Sequence, residues 1–186
     1  MTTAIREAIP EDAAALAAVH VLSWRAAYRD LLPGPYLDAL DPEERAAVWH
    51  ARLTAQDRPT VLLATEADGR VVAFSCFRAW PDGAEQADGT ADEPGALDPA
   101  TTAELAALYS LPEVWGTGVG RTLLAASTES LAAAGFRTAA LWVLAGNARG
   151  RRFYEAAGWR PDGTTVRDVT GGRELEELRY RRALFT

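Results

Sequence analysis

The sequence predicts a mixed α/β (α+β) domain built on one central sheet. Seven strand-like segments are interleaved with helical stripes. Between Thr102 and Leu144 a strand, a glycine turn, a helix and a second strand follow in direct succession, an order that pairs those two strands in parallel. A length of 186 residues suits a single domain, 1–186. With 48% hydrophobic residues the composition is globular, and no apolar run reaches the roughly 18 residues that a membrane span needs.

Taken in order, the first strand ends near Ala8. Pro10 opens a helix whose first turn holds Glu11 and Asp12, favourable near the positive end of a helix dipole. Leu16, Val19 and Leu22, followed by Trp24 and Tyr28, give that helix an apolar stripe. Pro33, Gly34 and Pro35 break the pattern, and two helical pieces follow, the second opened by Asp41 as N-cap with Pro42 at its first position. "TVLLATEADGRVVAFSCFRAW" reads as a hairpin turning at Asp68-Gly69. A strand over Thr102–Ser110 precedes the glycine turn, and a helix from about Gly118 to Ala134 stops at Gly135. "FRTAALWVL" lacks alternation, as expected of a strand covered on both faces. Asn147 caps the next helix and Gly158 ends it. "GRELEELRYRRAL" suits a strand or a helix, and Gly171-Gly172 before it favours a closing hairpin from the strand that begins near Trp159.

Charge is unevenly distributed. Residues 81–100 form an acidic Gly/Pro-rich insertion with six acids (Asp82, Glu85, Asp88, Asp92, Glu93, Asp98) and no base, so removing it from the net charge of −7 leaves the remainder at −1. Such a loop repels nucleic acid and suits either a cationic partner or simple solvation. The N-terminus carries acids and no apolar core behind basic residues, so it does not read as a secretory signal, and a cytoplasmic location is expected. Cys76, the single cysteine, lies in an apolar run and reads as a buried, inert thiol. His20 and His50 lie in separate helical patterns without cysteines or paired spacing, so no metal site is expected. All 19 basic residues are arginine, which removes Schiff-base lysine chemistry and the phosphate-loop lysine.

The turn Gly116-Thr117-Gly118-Val119-Gly120 places three alternate glycines at the mouth of a helix, where backbone N–H groups and the dipole favour an anion. The nucleotide-triphosphate loop fails for want of Gly-Lys-Ser/Thr, and the dinucleotide fingerprint fails because Arg121 stands where its third glycine belongs. "LYSLPEVWGTGVGRTLL", with "GNARGRRFYEAAGW" downstream, resembles the GCN5-related N-acetyltransferase (GNAT) superfamily, whose acetyl-CoA motif is Gln/Arg-x-x-Gly-x-Gly/Ala. The motif begins at Trp115, which replaces its Gln/Arg, and carries Gly118 and Gly120. The resemblance covers about Thr102 to Trp159 by motif and the rest by element order, and "SWRAAYRDLLP" is similar to the first helices of many bacterial members.

The resemblance implies a mostly antiparallel mixed sheet of about seven strands with flanking helices, and acetyl-CoA as cosubstrate. It further implies a primary amine on a small molecule or peptide as acceptor, and homodimers are common among such proteins. The backbone of residues 116 to 121 (Gly116, Thr117, Gly118, Val119, Gly120 and Arg121) is then expected to hold the pyrophosphate, and Arg121, Arg149, Arg151 and Arg152 to supply local positive charge. Leu108, Tyr109 and Ser110 are implied to offer backbone groups to the pantetheine amides and an N–H to the thioester oxygen. Asn147 is implied to lie near the pantetheine arm and Tyr154 near the sulfur, and Arg151 shares their helix face at the i, i+4, i+7 spacing. A phenol with a pKa of about 10 is protonated at neutral pH, so hydrogen-bond donation to sulfur is the minimum role for Tyr154. Direct attack needs a neutral amine, and Glu104 is the candidate base, acting directly only if burial raises its pKa and otherwise through a water relay. Trp24 and Tyr28, four apart on one helix, are candidates for the acceptor wall, with core packing the alternative. A non-catalytic acyl-CoA sensor remains open beside the enzyme.

Overall fold

The computed structural model describes residues 3–81 and 97–184. Strand β1 (Ala4–Glu7) leads through a 3-10 turn (Pro10–Asp12) into helices α1 (Ala13–Ala27), α2 (Gly34–Asp38) and α3 (Pro42–Thr54). Strands β2 (Thr60–Thr65), β3 (Val71–Ala79) and β4 (Thr102–Ser110) follow, then a second 3-10 turn (Pro112–Val114) and helix α4 (Val119–Ala133). The chain closes with β5 (Thr138–Leu144), α5 (Ala148–Ala156), β6 (Arg160–Thr170) and β7 (Arg173–Ala183). The seven strands run in the order β1-β2-β3-β4-β5-β7-β6, parallel at β4/β5 and antiparallel at β1/β2, β2/β3, β5/β7 and β7/β6. This is the mixed, mostly antiparallel sheet that the resemblance implies, with the parallel pair that the element order predicts. Among the described residues no helix is long and apolar enough to cross a membrane. Of the acidic segment, residues 82–96 lie outside the described residues, and so does any role for Asp82, Glu85, Asp88, Asp92 and Glu93.

Local signals explain most boundaries. The Asp41 side chain accepts from Glu43 N at 2.7 Å and starts α3. Gly135, at φ +93°, ends α4 with the paired bonds Gly135 N to Ala132 O (3.0 Å) and Phe136 N to Leu131 O (3.2 Å) of a Schellman cap. One boundary differs from the sequence reading, which put all of Pro33-Gly34-Pro35 in the break before the next helical piece. Gly34 and Pro35 instead form the first turn of α2, because Pro33 is extended at its N-cap and proline is tolerated where helical N–H groups have no partner. Five residues cannot hold a helix alone. Arg25 anchors this one, donating to the carbonyls of Leu37 (3.1 Å), Asp38 (3.1 Å) and Leu40 (3.0 Å).

The chain divides into two compact units, one formed by residues 1–77 and 107–127 and the other by 78–106 and 128–186. In the first, α1 packs against α3, and Leu16, Leu63, Phe74 and Trp49 are almost wholly buried. Cys76 is buried as expected. His20 also lies in this core, where its Nδ1 accepts from Trp49 Nε1 at 3.3 Å. The ring proton therefore sits on Nε2. Burial, aided by Arg45 and Arg52, pushes His20 down to about 4. The unfolded chain takes up this proton near 6.5, so stability is complete above that pH and falls as pH drops toward 4, by about 2–3 kcal/mol. Urea unfolding at pH 7 and 4.5 should show that loss, and His20→Gln, which keeps an acceptor for Trp49, should reduce it. An unchanged pH slope in the variant would assign the acid sensitivity elsewhere.

In the second unit, β7 lies between β5 and β6, and Trp159, Tyr180 and Leu141 are buried. Gly163, at φ +93°, creates a register break between Pro161 and Thr165. There Asp162 Oδ2 meets Arg179 Nε at 2.7 Å and Arg181 Nε at 3.2 Å, while Arg179 Nη2 donates to Thr164 Oγ1 at 2.8 Å. The side chains of Arg179 and Asp162 are only 1% and 2% exposed.

Candidate active site

The first unit carries the glycine turn. Leu111 N bonds Val72 O at 2.9 Å, and the second 3-10 turn then lifts the chain out of the sheet. Trp115, which stands at the motif's polar position, donates from Nε1 to Ser110 O at 3.0 Å and so ties the turn back to the strand end. Thr117 Oγ1 donates to Val114 O at 2.7 Å. Gly116 and Gly118 adopt φ +80° and +96°, a region costly for any residue with a Cβ. A Cβ built on either would meet no described atom within 4 Å. The glycines are therefore required by backbone conformation, and the face above them is open. α4 begins at Val119, so the N–H groups of Val119, Gly120 and Arg121 have no partner within the helix. Gly120 is not among the positive-φ glycines. Arg121 is exposed.

The same unit gathers aromatic rings. Trp24 and Tyr28 meet edge to face at 5.1 Å, and Tyr109 lies 6.2 Å from Trp24, 5.1 Å from His20 and 5.6 Å from Phe74. Trp24 Nε1 is buried without a hydrogen-bond partner among the described residues. Sequence reading assigned Tyr109 for its backbone alone. Its ring completes a cluster with His20 that the i, i+4 spacing of His20 and Trp24 could have suggested for α1, though nothing in the sequence pairs α1 with this strand.

In the second unit, Glu104 pairs with Arg78, Oε2 to Nε, at 2.8 Å, and the glutamate side chain is 13% exposed. That bond occupies one carboxylate oxygen, leaving Oε1 as the oxygen available to a water. Asn147 caps α5, its Oδ1 accepting from Gly150 N at 2.9 Å. At Gly150, which sequence reading passed over, a Cβ would lie 2.6 Å from Asn147 Nδ2, so any other residue there would displace the capping carboxamide. The carboxamide thus lies over the first turn with its oxygen committed. Arg151 donates from Nε to Tyr180 Oη at 3.2 Å and from Nη1 to Ala145 O at 3.2 Å. These bonds take two of the five guanidinium N–H donors and leave both on Nη2 for an anion, and Arg149 and Arg152 are exposed. Tyr154 is half-buried, with Phe153 at 5.2 Å and Trp159 at 6.0 Å from its ring.

Comparison with known proteins agrees with this architecture. The model of the acetyltransferase (GNAT) family matches residues 21–159. An uncharacterized N-acetyltransferase of Bacillus subtilis (strain 168), YuaI, is 34% identical over 143 residues, 77% of this chain and 72% of that protein. Among solved structures, PaiA N-acetyltransferase from Thermoplasma acidophilum in complex with coenzyme A superposes with a TM-score of 0.71 at 21% identity, covering 98% of this chain and 99% of that one. The structure of yncA from Salmonella typhimurium with acetyl-CoA gives 0.69 at 22% identity, over 100% and 96%.

Proposed function

Since the chain belongs to the acetyltransferase (GNAT) family, we propose that it transfers an acetyl group from acetyl-CoA to a primary amine by direct attack in a ternary complex. The observation that carries this reading is the glycine turn, where an open backbone face meets the unpartnered N–H groups at the start of α4. That donor set fits a pyrophosphate. PaiA and yncA were solved with coenzyme A and acetyl-CoA respectively, which supports the same ligand here.

Acetyl-CoA supplies an activated acyl carbon with a thiolate leaving group. The chain's own residues then have distinct tasks. Gly116 to Arg121 bind the pyrophosphate through backbone donors. The backbone of Leu108 to Ser110 aligns the pantetheine amides and donates an N–H where negative charge grows on oxygen. Asn147 Nδ2 is the donor that its capping bond leaves for the pantetheine arm. Tyr154 donates to the departing sulfur, and Glu104, through a water on Oε1, accepts the proton that the amine loses. Trp24 and Tyr28, with Tyr109, wall the acceptor. The burial of Cys76 supports attack without a covalent enzyme intermediate.

Thermal unfolding tests the ligand. Acetyl-CoA or CoA at a hundredfold excess over Kd should stabilise the fold by about 2.7 kcal/mol, and ATP and NAD by far less. Gly118→Val should abolish the shift, but at φ +96° it also strains the backbone. Gly120→Val, outside the left-handed region, tests the same contact without that strain. A folded Gly120→Val protein with normal CoA binding would remove the turn from the site. Free-thiol release over a panel of amines then tests transfer. CoA binding with no release from any amine would leave a non-catalytic acyl-CoA module.

A further inference from the structure

Tyr180 lies in the C-terminal half of β7, wholly buried, opposite Leu141 of β5 and Pro161 of β6. Its hydroxyl donates to Glu155 Oε1 at 2.7 Å and accepts from Arg151 Nε at 3.2 Å. Both partners belong to α5, four residues apart, and Tyr154 immediately precedes Glu155. Arg151 extends the link to Ala145 O, two residues ahead of the capping Asn147. A single phenol on the sheet therefore grips the helix at two successive turns and, through Arg151, the loop that leads into it. A second restraint acts on the ring of Tyr154, which meets the buried Trp159 at 6.0 Å and 62°, while Trp159 N bonds Tyr154 O at 3.0 Å.

We infer that Tyr180 is a positioning residue that fixes the rotation of α5, and with it the placement of the Tyr154 hydroxyl. This rests on the sulfur-donor role proposed for Tyr154. Helix side chains reach roughly 5–6 Å from the axis, so a rotation of about 10° moves a side-chain tip by about 1 Å, and a misplacement of that size can cost on the order of a hundredfold in rate. α5 spans nine residues, and a helix this short depends on tertiary contacts for its stability. The two bonds to Tyr180 connect it to a strand paired on both sides, and they explain why Arg151, which shares a face with Asn147 and Tyr154, is turned toward the protein.

A double-mutant cycle on the full chain tests this, reading kcat, KM for acetyl-CoA and Tm for Tyr180→Phe, Tyr154→Phe and the pair. Tyr180→Phe should lower kcat by about tenfold or more with KM for acetyl-CoA nearly unchanged. In the Tyr154→Phe background the same change should cost less than about twofold, since the hydroxyl it would misplace is gone. Glu155→Gln, which keeps an acceptor oxygen, should stay near the parent rate, whereas Glu155→Ala should follow Tyr180→Phe. If Tyr180→Phe fails to fold, Glu155→Ala with Tyr154→Phe gives the same cycle. Equal losses in both backgrounds, or an unchanged kcat, overturn the inference and leave Tyr154 as donor. A Tyr154→Phe protein silent also in single-turnover measurements, where product release does not enter, removes the donor role itself.

Discussion

Tyr154→Phe is expected to lower kcat on the order of a hundredfold while leaving affinity for acetyl-CoA unchanged. The lost hydroxyl acts on charge that develops at sulfur during thioester cleavage, so its contribution belongs to the transition state and leaves ground-state binding intact. Glu104→Gln provides the contrast. It should also spare affinity, but its defect should shrink as pH rises, because a growing fraction of the amine is neutral without assistance. Its bond to Arg78, more than half exposed on the arginine side, adds little to stability, so a folding defect should not obscure the comparison. Steady-state kinetics from neutral to alkaline pH distinguish the two variants. A full rate for Glu104→Gln at neutral pH would end the base assignment. Normal turnover by Tyr154→Phe would point to another donor or to rate-limiting product release.

The second large effect is on stability. Asp162→Asn should cost about 3–5 kcal/mol in urea unfolding, because it leaves Arg179 charged, 1% exposed and without its anion. Burial and the neighbouring Arg181 push Arg179 down to about 10, so it stays protonated at neutral pH. Removing the arginine as well, as Asp162→Asn with Arg179→Met, should recover much of the loss, since burying no charge is cheaper than burying an unpaired one. A loss below about 1 kcal/mol for the single variant would mean that water reaches the guanidinium.

Turns and caps were legible because each depends on a few adjacent residues. Asp41, Asn147, Gly135 and Gly158 marked helix ends by their own chemistry, and the strand over Thr102–Ser110 was readable from its apolar run and the turn beyond it. The glycine turn was legible for the same reason, since Gly116 and Gly118 both take φ values that other residues avoid. Side-chain assignments on α5 were less secure. The spacing of Asn147, Arg151 and Tyr154 placed them on one face, but it could not reveal that Arg151 is held by a tyrosine twenty-nine residues later.

By itself the sequence determined the element order, the parallel strand-helix-strand unit and the glycine turn at the mouth of a helix, all set by local conformational preference and hydrophobic period. Only the tertiary structure decided the environment of β7. Its charged run, "RELEELRYRRA", suits a strand or a helix and does not mark which residues are covered, yet in the strand Arg179 and Tyr180, adjacent and therefore on opposite faces, are both buried. One meets Asp162 at the break made by Gly163, and the other meets α5. The aromatic cluster has the same origin, since Trp24 and Tyr109 are far apart in the chain and meet only through packing. A cap or turn is specified by its own neighbours. A buried partner is specified by which strand lies beside which and in what register, and that follows from burying the whole apolar surface at once.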